Sequence, residues 1–388
     1  MTKKELTIPD KYEKIFQWEY QISQCDDIDL SKLDKEEAKR AFRYLKKELG
    51  ENFLKEALLT GHPLIGMIIN TAPWTRRWFI TFAQSLKNLK EQENYEDLLK
   101  RIINSKTFEE ASSVFEIARR FAMGGFKCHF HDKIEINSRQ KFPDIKLTCQ
   151  DTNEEIYCEI TALKKSRNEN EANERNKKIF DTILSARPFM HTCCRLFKVL
   201  SIKRSDVIVS KIKETIVKAN DENSFQKLII DGVIIFGVAP EADKMILEEW
   251  ASQNNLKIGH LEGSPLNIDP IYRVKRKIFD KQLQLPTDFA NILIIYCSDL
   301  FFYSKDIKIT ISELEESIYD FKHILAVVIV GGYIGNTGEE VIMKDQHIYF
   351  KKVEEGFRTQ EFLVLLNGYC EFKISPSLIS KIYSSLRM

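Results

Sequence analysis

The stretch that decides the fold is KFPDIKLTCQDTNEEIYCEITALKK, residues 141–165. Two short runs of strand-like alternation flank a polar turn, Gln150-Asp151-Thr152-Asn153. Side chains at i and i+2 leave a strand on the same face. Ile145, Leu147 and Cys149 thus share one face of the first run, and Asp144, Lys146 and Thr148 the other. In the second run Ile156, Cys158, Ile160 and Ala162 oppose Tyr157, Glu159 and Thr161. A hairpin centred on Asp151 and Thr152 puts Ile145 opposite Cys158 and Leu147 opposite Ile156, one consistent apolar face. The same register puts Asp144 opposite Glu159. Cross-strand partners have Cβ atoms about 4.5–5.5 Å apart, where like charges repel. Either a divalent cation compensates, since Mg²⁺ takes oxygen ligands from one or two carboxylates, or Lys146, Lys164 or Arg139 neutralises the pair.

Upstream, residues 1–105 read as helical. LDKEEAKRAFRYLKKELG carries Ala38, Phe42, Leu45 and Leu49 on one stripe and ends at Gly50. TAPWTRRWFITFAQSLKNLKEQ opens at Pro73 with Trp74, Trp78, Phe82 and Leu86 at four-residue spacing, an aromatic core stripe beside a solvated basic face at Arg76 and Arg77. TFEEASSVFEIARRFAMGGF predicts a helix with a Thr107/Glu110 capping box, stopped by Gly124-Gly125. The alternating FKCHFH follows as a strand. Downstream of the hairpin come a polar helix around NENEANERNKKIFDTILSA and alternating strands and helices from about 195. NILIIYC and ILAVVIVGG are strands of the kind buried on both faces, and further strand follows in the tail.

Helix with an internal Glu, strand, Pro-Asp strand, Glu-x-Thr strand, helix: in that order the region 107–186 resembles the PD-(D/E)XK nuclease superfamily. Glu116, Pro143-Asp144 and Glu159-Ile160-Thr161 carry the likeness. It implies a restriction-endonuclease-like α/β core, a mixed sheet flanked by helices, behind an all-helical N-terminal domain at 1–105. The nuclease-like domain would then fill 106–388, with an inserted α/β segment at about 196–270. The resemblance also implies Mg²⁺ or Mn²⁺ held by Asp144 and Glu159, with the Ile160 carbonyl and Glu116 completing the site. Glu116 has a plainer alternative, an i,i+4 pair with Arg120.

The departure is Thr161, where the family carries a lysine. A hydroxyl hydrogen-bonds a water but brings no charge, so Lys164, or Lys277, Lys281 and Gln282 on a later helix, are the substitutes. Thr161 and Lys164 join Asp144 and Glu159 as catalytic candidates. Arg120, Lys141, Lys165, Lys281 and Gln282 are candidates for substrate phosphates, within a basic surround that includes Arg119, Lys127, Arg139 and Arg167. The expected function is metal-dependent phosphodiester hydrolysis by an endonuclease, of genome-defence type by analogy. The partner is nucleic acid, DNA before RNA; a homodimer is allowed. The alternative is an inactive nuclease fold that binds nucleic acid or a protein. A third reading, an unrelated α/β enzyme, would place an apolar pocket within 230–340.

Length and composition agree. With 388 residues, 43% hydrophobic and 30% charged, the chain can bury the core of two domains or one large one. The formal net charge of +1 leaves nucleic-acid contact to local clustering. No signal-peptide pattern, membrane-length apolar run or cysteine framework is present, which points to a reduced cytoplasm. Three weaker signals are set aside. Cys128 and the pair His129/His131 leave a strand on opposite faces, so they do not converge on zinc. GGYIGNTG at 331–338 precedes a strand pattern and reads as a hairpin loop. Cys193-Cys194 beside His191 lacks the partners of a thiol nucleophile.

Overall fold

The computed structural model describes residues 13–27, 31–131, 134–136, 139–163, 167–186, 189–263, 269–297, 301–302, 305–335, 338–354 and 358–388. Helices come first: α1 (Trp18–Ser23), α2 (Lys32–Leu49), α3 (Phe53–Thr60), α4 (Pro63–Ile69), α5 (Pro73–Leu89), α6 (Tyr95–Ile103) and α7 (Phe108–Met123). The strands β1 (Phe126–Phe130), β2 (Ile134–Ile136), β3 (Arg139–Lys141), β4 (Ile145–Cys149) and β5 (Glu155–Ala162) follow. The middle of the chain holds α8 (Arg167–Leu184), β6 (His191–Leu196), α9 (Ile202–Asp221), β7 (Gln226–Ile230), β8 (Ile234–Ala239), α10 (Lys244–Gln253) and β9 (Leu261–Glu262). The remainder is α11 (Pro270–Gln282), β10 (Asn291–Tyr296), α12 (Ile307–Glu315), β11 (Ile324–Ile334), β12 (Glu340–Lys344), β13 (His347–Glu354), β14 (Arg358–Leu366) and α13 (Pro376–Leu386).

The chain divides into two compact units, Met1–Leu163 with Pro270–Met388, and Lys164–Asp269. The first is built on an eight-stranded mixed sheet in the order β1-β4-β5-β10-β11-β14-β13-β12. β4 runs antiparallel to β1 and β5, whereas β5, β10 and β11 are mutually parallel. Alternation divides the central strands between two cores. Ile156, Cys158, Ile160, Ile292 and Ile294 pack with the N-terminal helices, through Phe42, Phe79, Leu98 and Phe121. Tyr157, Leu293 and Ile295 pack on the other face with Val274 and Ile278 of α11 and Ile311 of α12. The N-terminal helices therefore share their core with the sheet, and the change of composition near residue 105 marks no break between compact units. The reason is α7, whose Val114, Ile117 and Phe121 are buried in that common core.

The second unit carries a four-stranded sheet, β7-β8-β6-β9. Its α8 buries Ile179 and Ile183 with Ile208 and Ile212 of α9 and Phe236 of β8. The polar helix expected in the nuclease core, with the insertion beginning only at 196, thus belongs to the unit that interrupts the sheet.

Other local readings shift too. β11 pairs with β14 while β12 pairs with β13, so β11 and β12 are not neighbours and do not form the hairpin expected around 331–338, of which residues 336 and 337 lie outside the described residues. Thr107 caps α7 without a side-chain bond; its hydroxyl donates to the Arg101 carbonyl (2.8 Å). Gly124 is required by contact: a Cβ there would lie 1.8 Å from Ser385 Oγ of α13. Arg76 is fully buried under Phe42, donating to the Ile68 carbonyl (2.8 Å) and Gln21 (3.1 Å), instead of lying on a solvated face. None of the described helices is long and apolar enough to cross a membrane.

Candidate functional site

Asp144 and Glu159 come together by the register the sequence implies. Ile145 lies opposite Cys158 and Leu147 opposite Ile156, closed by a turn with Asn153 in the left-handed region (φ 56°). Asp144 sits just before β4, where its Oδ2 accepts a hydrogen bond from the Ile160 backbone N–H (2.9 Å). That bond fastens the aspartate to β5 beside Glu159. Both acids are buried, at 9% and 5% exposure.

Each acid meets one cation. The Arg101 guanidinium, from the end of α6, lies 3.7 Å from Asp144 Oδ1 and also donates to His131 Nε2. Lys281, in the last turn of α11, donates to Glu159 Oε1 (2.7 Å) and to Gln284 Oε1 (2.6 Å). The cations do not restore ordinary acidity. Burial, then the charge of Asp144, push the Glu159 carboxyl up to about 7 against the pull of Lys281 and Arg101. Burial raises Asp144 too, with Glu110 of α7 adding repulsion. Burial and the Arg101 charge hold His131 down to about 4, so its imidazole is neutral and accepts.

Thr161 is buried two residues beyond Glu159 on the same strand face, next to Ile295 in the β5–β10 ladder. Gln282 is buried as well, and its carbonyl accepts from His323 Nε2 (3.2 Å). Lys141 ends β3, which pairs with β2; the Lys141, Arg139 and Arg167 side chains, and Lys164 and Lys165 altogether, lie outside the described residues. Lys127 is exposed on β1. Lys146, expected as a neutraliser, pairs with Glu155 (2.7 Å). His131 falls just past β1 at φ 52°, and His129 pairs with Glu93 (2.9 Å). Cys193 and Cys194 are buried, while His191 pairs with Glu241.

Two assignments are corrected. Glu116 does not join the acidic pair: its Oε1 accepts from Arg119 (2.9 Å) and Arg120 (3.0 Å). Burial works against its charge, but Arg120 and Arg119 outweigh it and hold the carboxyl at about 2. The acid of α7 that acts on Asp144 is Glu110, six residues earlier and so about 9 Å along the helix. Arg120 cannot meet a phosphate. It is wholly buried, bonding Glu116, Glu354, Gln360 and the Leu386 carbonyl (2.9 Å), with its guanidinium 4.9 Å from the Phe362 ring centre.

Nothing in the local sequence assigns Arg101, His131 or Glu110 to this site; His131 is marked there only as half of a histidine pair that does not converge on zinc. Arg101 reads as an ordinary polar-face residue of an amphipathic helix until tertiary folding sets it against Asp144. Glu110 was visible, but as a cap.

No protein-family model, curated protein or solved structure matches the chain. The site's chemistry therefore rests on its own donor set. Among the described residues no group of three or more His, Cys, Asp or Glu side chains forms a metal-holding cluster. What is present is two carboxylates whose Asp144 Oδ1 and Glu159 Oε2 accept no hydrogen bond among the described residues.

Proposed function

We propose that the chain is a metal-dependent nuclease that hydrolyses phosphodiester bonds at the Asp144–Glu159 centre. The observation carrying this reading is the pairing of the two buried acids, with Glu159 raised to about 7 although an ammonium lies 2.7 Å away. Perturbation of that kind is common where a group must exchange a proton or a cation near neutral pH. The order of elements around the acids also supports the likeness to the PD-(D/E)XK nucleases, from α7 through β1 and the Pro-Asp strand to the Glu-x-Thr strand.

Asp144 and Glu159 would hold Mg²⁺ or Mn²⁺, with the Ile160 carbonyl as a third candidate ligand. The bound ion would polarise a phosphoryl oxygen and lower the pKa of a bound water. Lys281 supplies the positive charge that Thr161 lacks. Its ammonium, now donating to Glu159 Oε1, would be placed to stabilise charge developing on phosphate. Thr161 offers a hydroxyl to orient a water. Arg101 balances Asp144, and the Asp144–Ile160 bond keeps the two strands in step.

A second reading has its own observation. Each acid already faces a cation, which is how an inactive fold kept for binding nucleic acid or a protein would neutralise the pair. Incubation with plasmid, single-stranded DNA and RNA, with and without Mg²⁺ or Mn²⁺, separates the two. Metal-dependent cleavage abolished by Asp144→Ala and by Glu159→Ala supports the enzyme. Binding without cleavage in every metal supports the module and overturns the proposal.

A further inference from the structure

Trp74 and Trp78, which the sequence offers as a core stripe, line a cavity of about 430 Å³ between α5, α7 and the sheet. Tyr296, Arg119, Glu116 and Arg358 share its wall. This cavity is not the acidic site. Tyr296 pairs with Ala162 at the end of the β5–β10 ladder. Alternation sends it to the face of the N-terminal helices, whereas Glu159 and Thr161 leave β5 on the α11 face.

Three features specify an occupant. First, the wall is flat and aromatic: Trp78 stacks on Phe82 with ring centres 4.9 Å apart and planes at 12°, a surface suited to a planar ring. Second, the wall carries a guanidinium that no ion pair uses: exposed Arg358 makes no hydrogen bond or ion pair among the described residues, its charge acting on Glu116 only from a distance, while Glu116 and Glu354 are bonded by Arg119 and Arg120. Third, the Tyr296 hydroxyl is shielded from solvent and has no hydrogen-bond partner among the described residues, a deficit that a polar ligand atom would remove.

We propose that this cavity binds a planar aromatic ring bearing an anionic group. The volume lies within the range of about 300–1,000 Å³ typical of small-molecule sites. A nucleoside monophosphate answers all three features: a flat base for the tryptophans, ring nitrogens or carbonyls for the Tyr296 hydroxyl, and a phosphate for the Arg358 fork. An aromatic carboxylate shares the chemistry in part. The inference goes beyond the nuclease reading and stands whether or not the acidic pair cleaves anything.

The test is tryptophan fluorescence of the full chain carrying Glu159→Gln, without divalent metal so that hydrolysis plays no part. It is titrated with adenosine monophosphate, benzoate and inorganic phosphate. Saturable quenching by the nucleotide but not by phosphate is expected, weakened about tenfold or more by Arg358→Gln and less by Tyr296→Phe. Quenching by benzoate alone would keep the ring-and-anion site and assign it to aromatic carboxylates. The proposal fails if neither ring compound saturates at millimolar concentration, or if Arg358→Gln and Tyr296→Phe leave the affinity unchanged. Both variants keep the backbone and the aromatic wall, and near-ultraviolet circular dichroism confirms their fold.

Discussion

Glu159→Gln should stabilise this protein at alkaline pH while destroying the function proposed for it. In the folded chain burial and the neighbouring Asp144 raise Glu159 from the ordinary 4.5 to about 7. A folded value above the unfolded one means the unfolded chain releases its proton first as pH rises. The stability contributed by protonated Glu159 is thus complete below about pH 4.5 and lost between pH 4.5 and 7. At 1.36 kcal/mol per pH unit, the interval from 4.5 to about 7 amounts to about 3 kcal/mol by pH 8. Glutamine has the shape of the protonated acid, still offers Lys281 an oxygen, and does not titrate. Urea unfolding of the two proteins should therefore show the variant more stable by up to about 3 kcal/mol near pH 8 and no different near pH 4.5. Mg²⁺ at a hundredfold excess over its Kd should restore about 2.7 kcal/mol to the parent and nothing to the variant. A variant no more stable than the parent near pH 8, or equally stabilised at both pH values, would refute the electrostatic account.

Other substitutions probe the neighbours. Lys281→Met should lower cleavage by about 10²–10³-fold, the usual loss when a donor aimed at developing charge is removed, with metal binding no weaker, since the ammonium competing for Glu159 is gone. Adding Thr161→Lys to it should recover part of the rate, since residue 161 leaves β5 on the same face as Glu159; no recovery in plasmid cleavage would argue against Lys281 as the displaced lysine. Arg120→Met should cost about 3 kcal/mol by urea unfolding, because the partly buried Glu116 and Glu354 carboxylates lose a shared partner, and should leave the nucleic-acid affinity of the folded protein unchanged. Gly124→Ala forces a methyl to within 1.8 Å of Ser385 Oγ and should destabilise by about 1–3 kcal/mol, visible as a lowered Tm.

The hairpin register was legible because a one-residue slip would turn Ile145 and Leu147 away from Cys158 and Ile156, and the polar turn centred on Asp151 and Thr152 excludes a slip of two. Unbroken apolar runs also exposed the buried character of β10 and β11. What the sequence hid was contact between distant segments. Arg101 and Lys281 reach the acids from α6 and α11, and no spacing rule connects those helices to β5. Arg76 and Arg120 looked solvated because guanidiniums usually are; here both are buried against internal oxygen acceptors, although the Arg76 Nε has no partner among the described residues. Helix α13 went unread, although Ser375-Pro376 is a sound start signal, with the Ser375 hydroxyl accepting from Leu378 N–H.

The chain supplies its own control for deciding between a structural acid and a reactive one. Glu116 and Glu159 are both paired with cations, yet one sits at about 2 and the other at about 7. The difference lies in what outweighs burial. Glu116 is bonded by two guanidiniums with Arg358 nearby, and together they overcome its desolvation. Glu159 has one ammonium in contact, and burial with the repulsion of Asp144 exceeds the pull of Lys281 and Arg101. An ion-pair network selected for stability alone would follow the first pattern, and a centre that must accept a divalent ion the second. Carbon-13 NMR of labelled glutamate carboxyls should therefore show Glu159 titrating near 7 without metal, and Glu116 silent down to acid pH. Mg²⁺ should pull the Glu159 transition downward while Glu116 stays fixed. If Glu159 titrates near 4.5 and ignores the metal, the pair is an ordinary neutralised contact and the binding module is the better account of this fold.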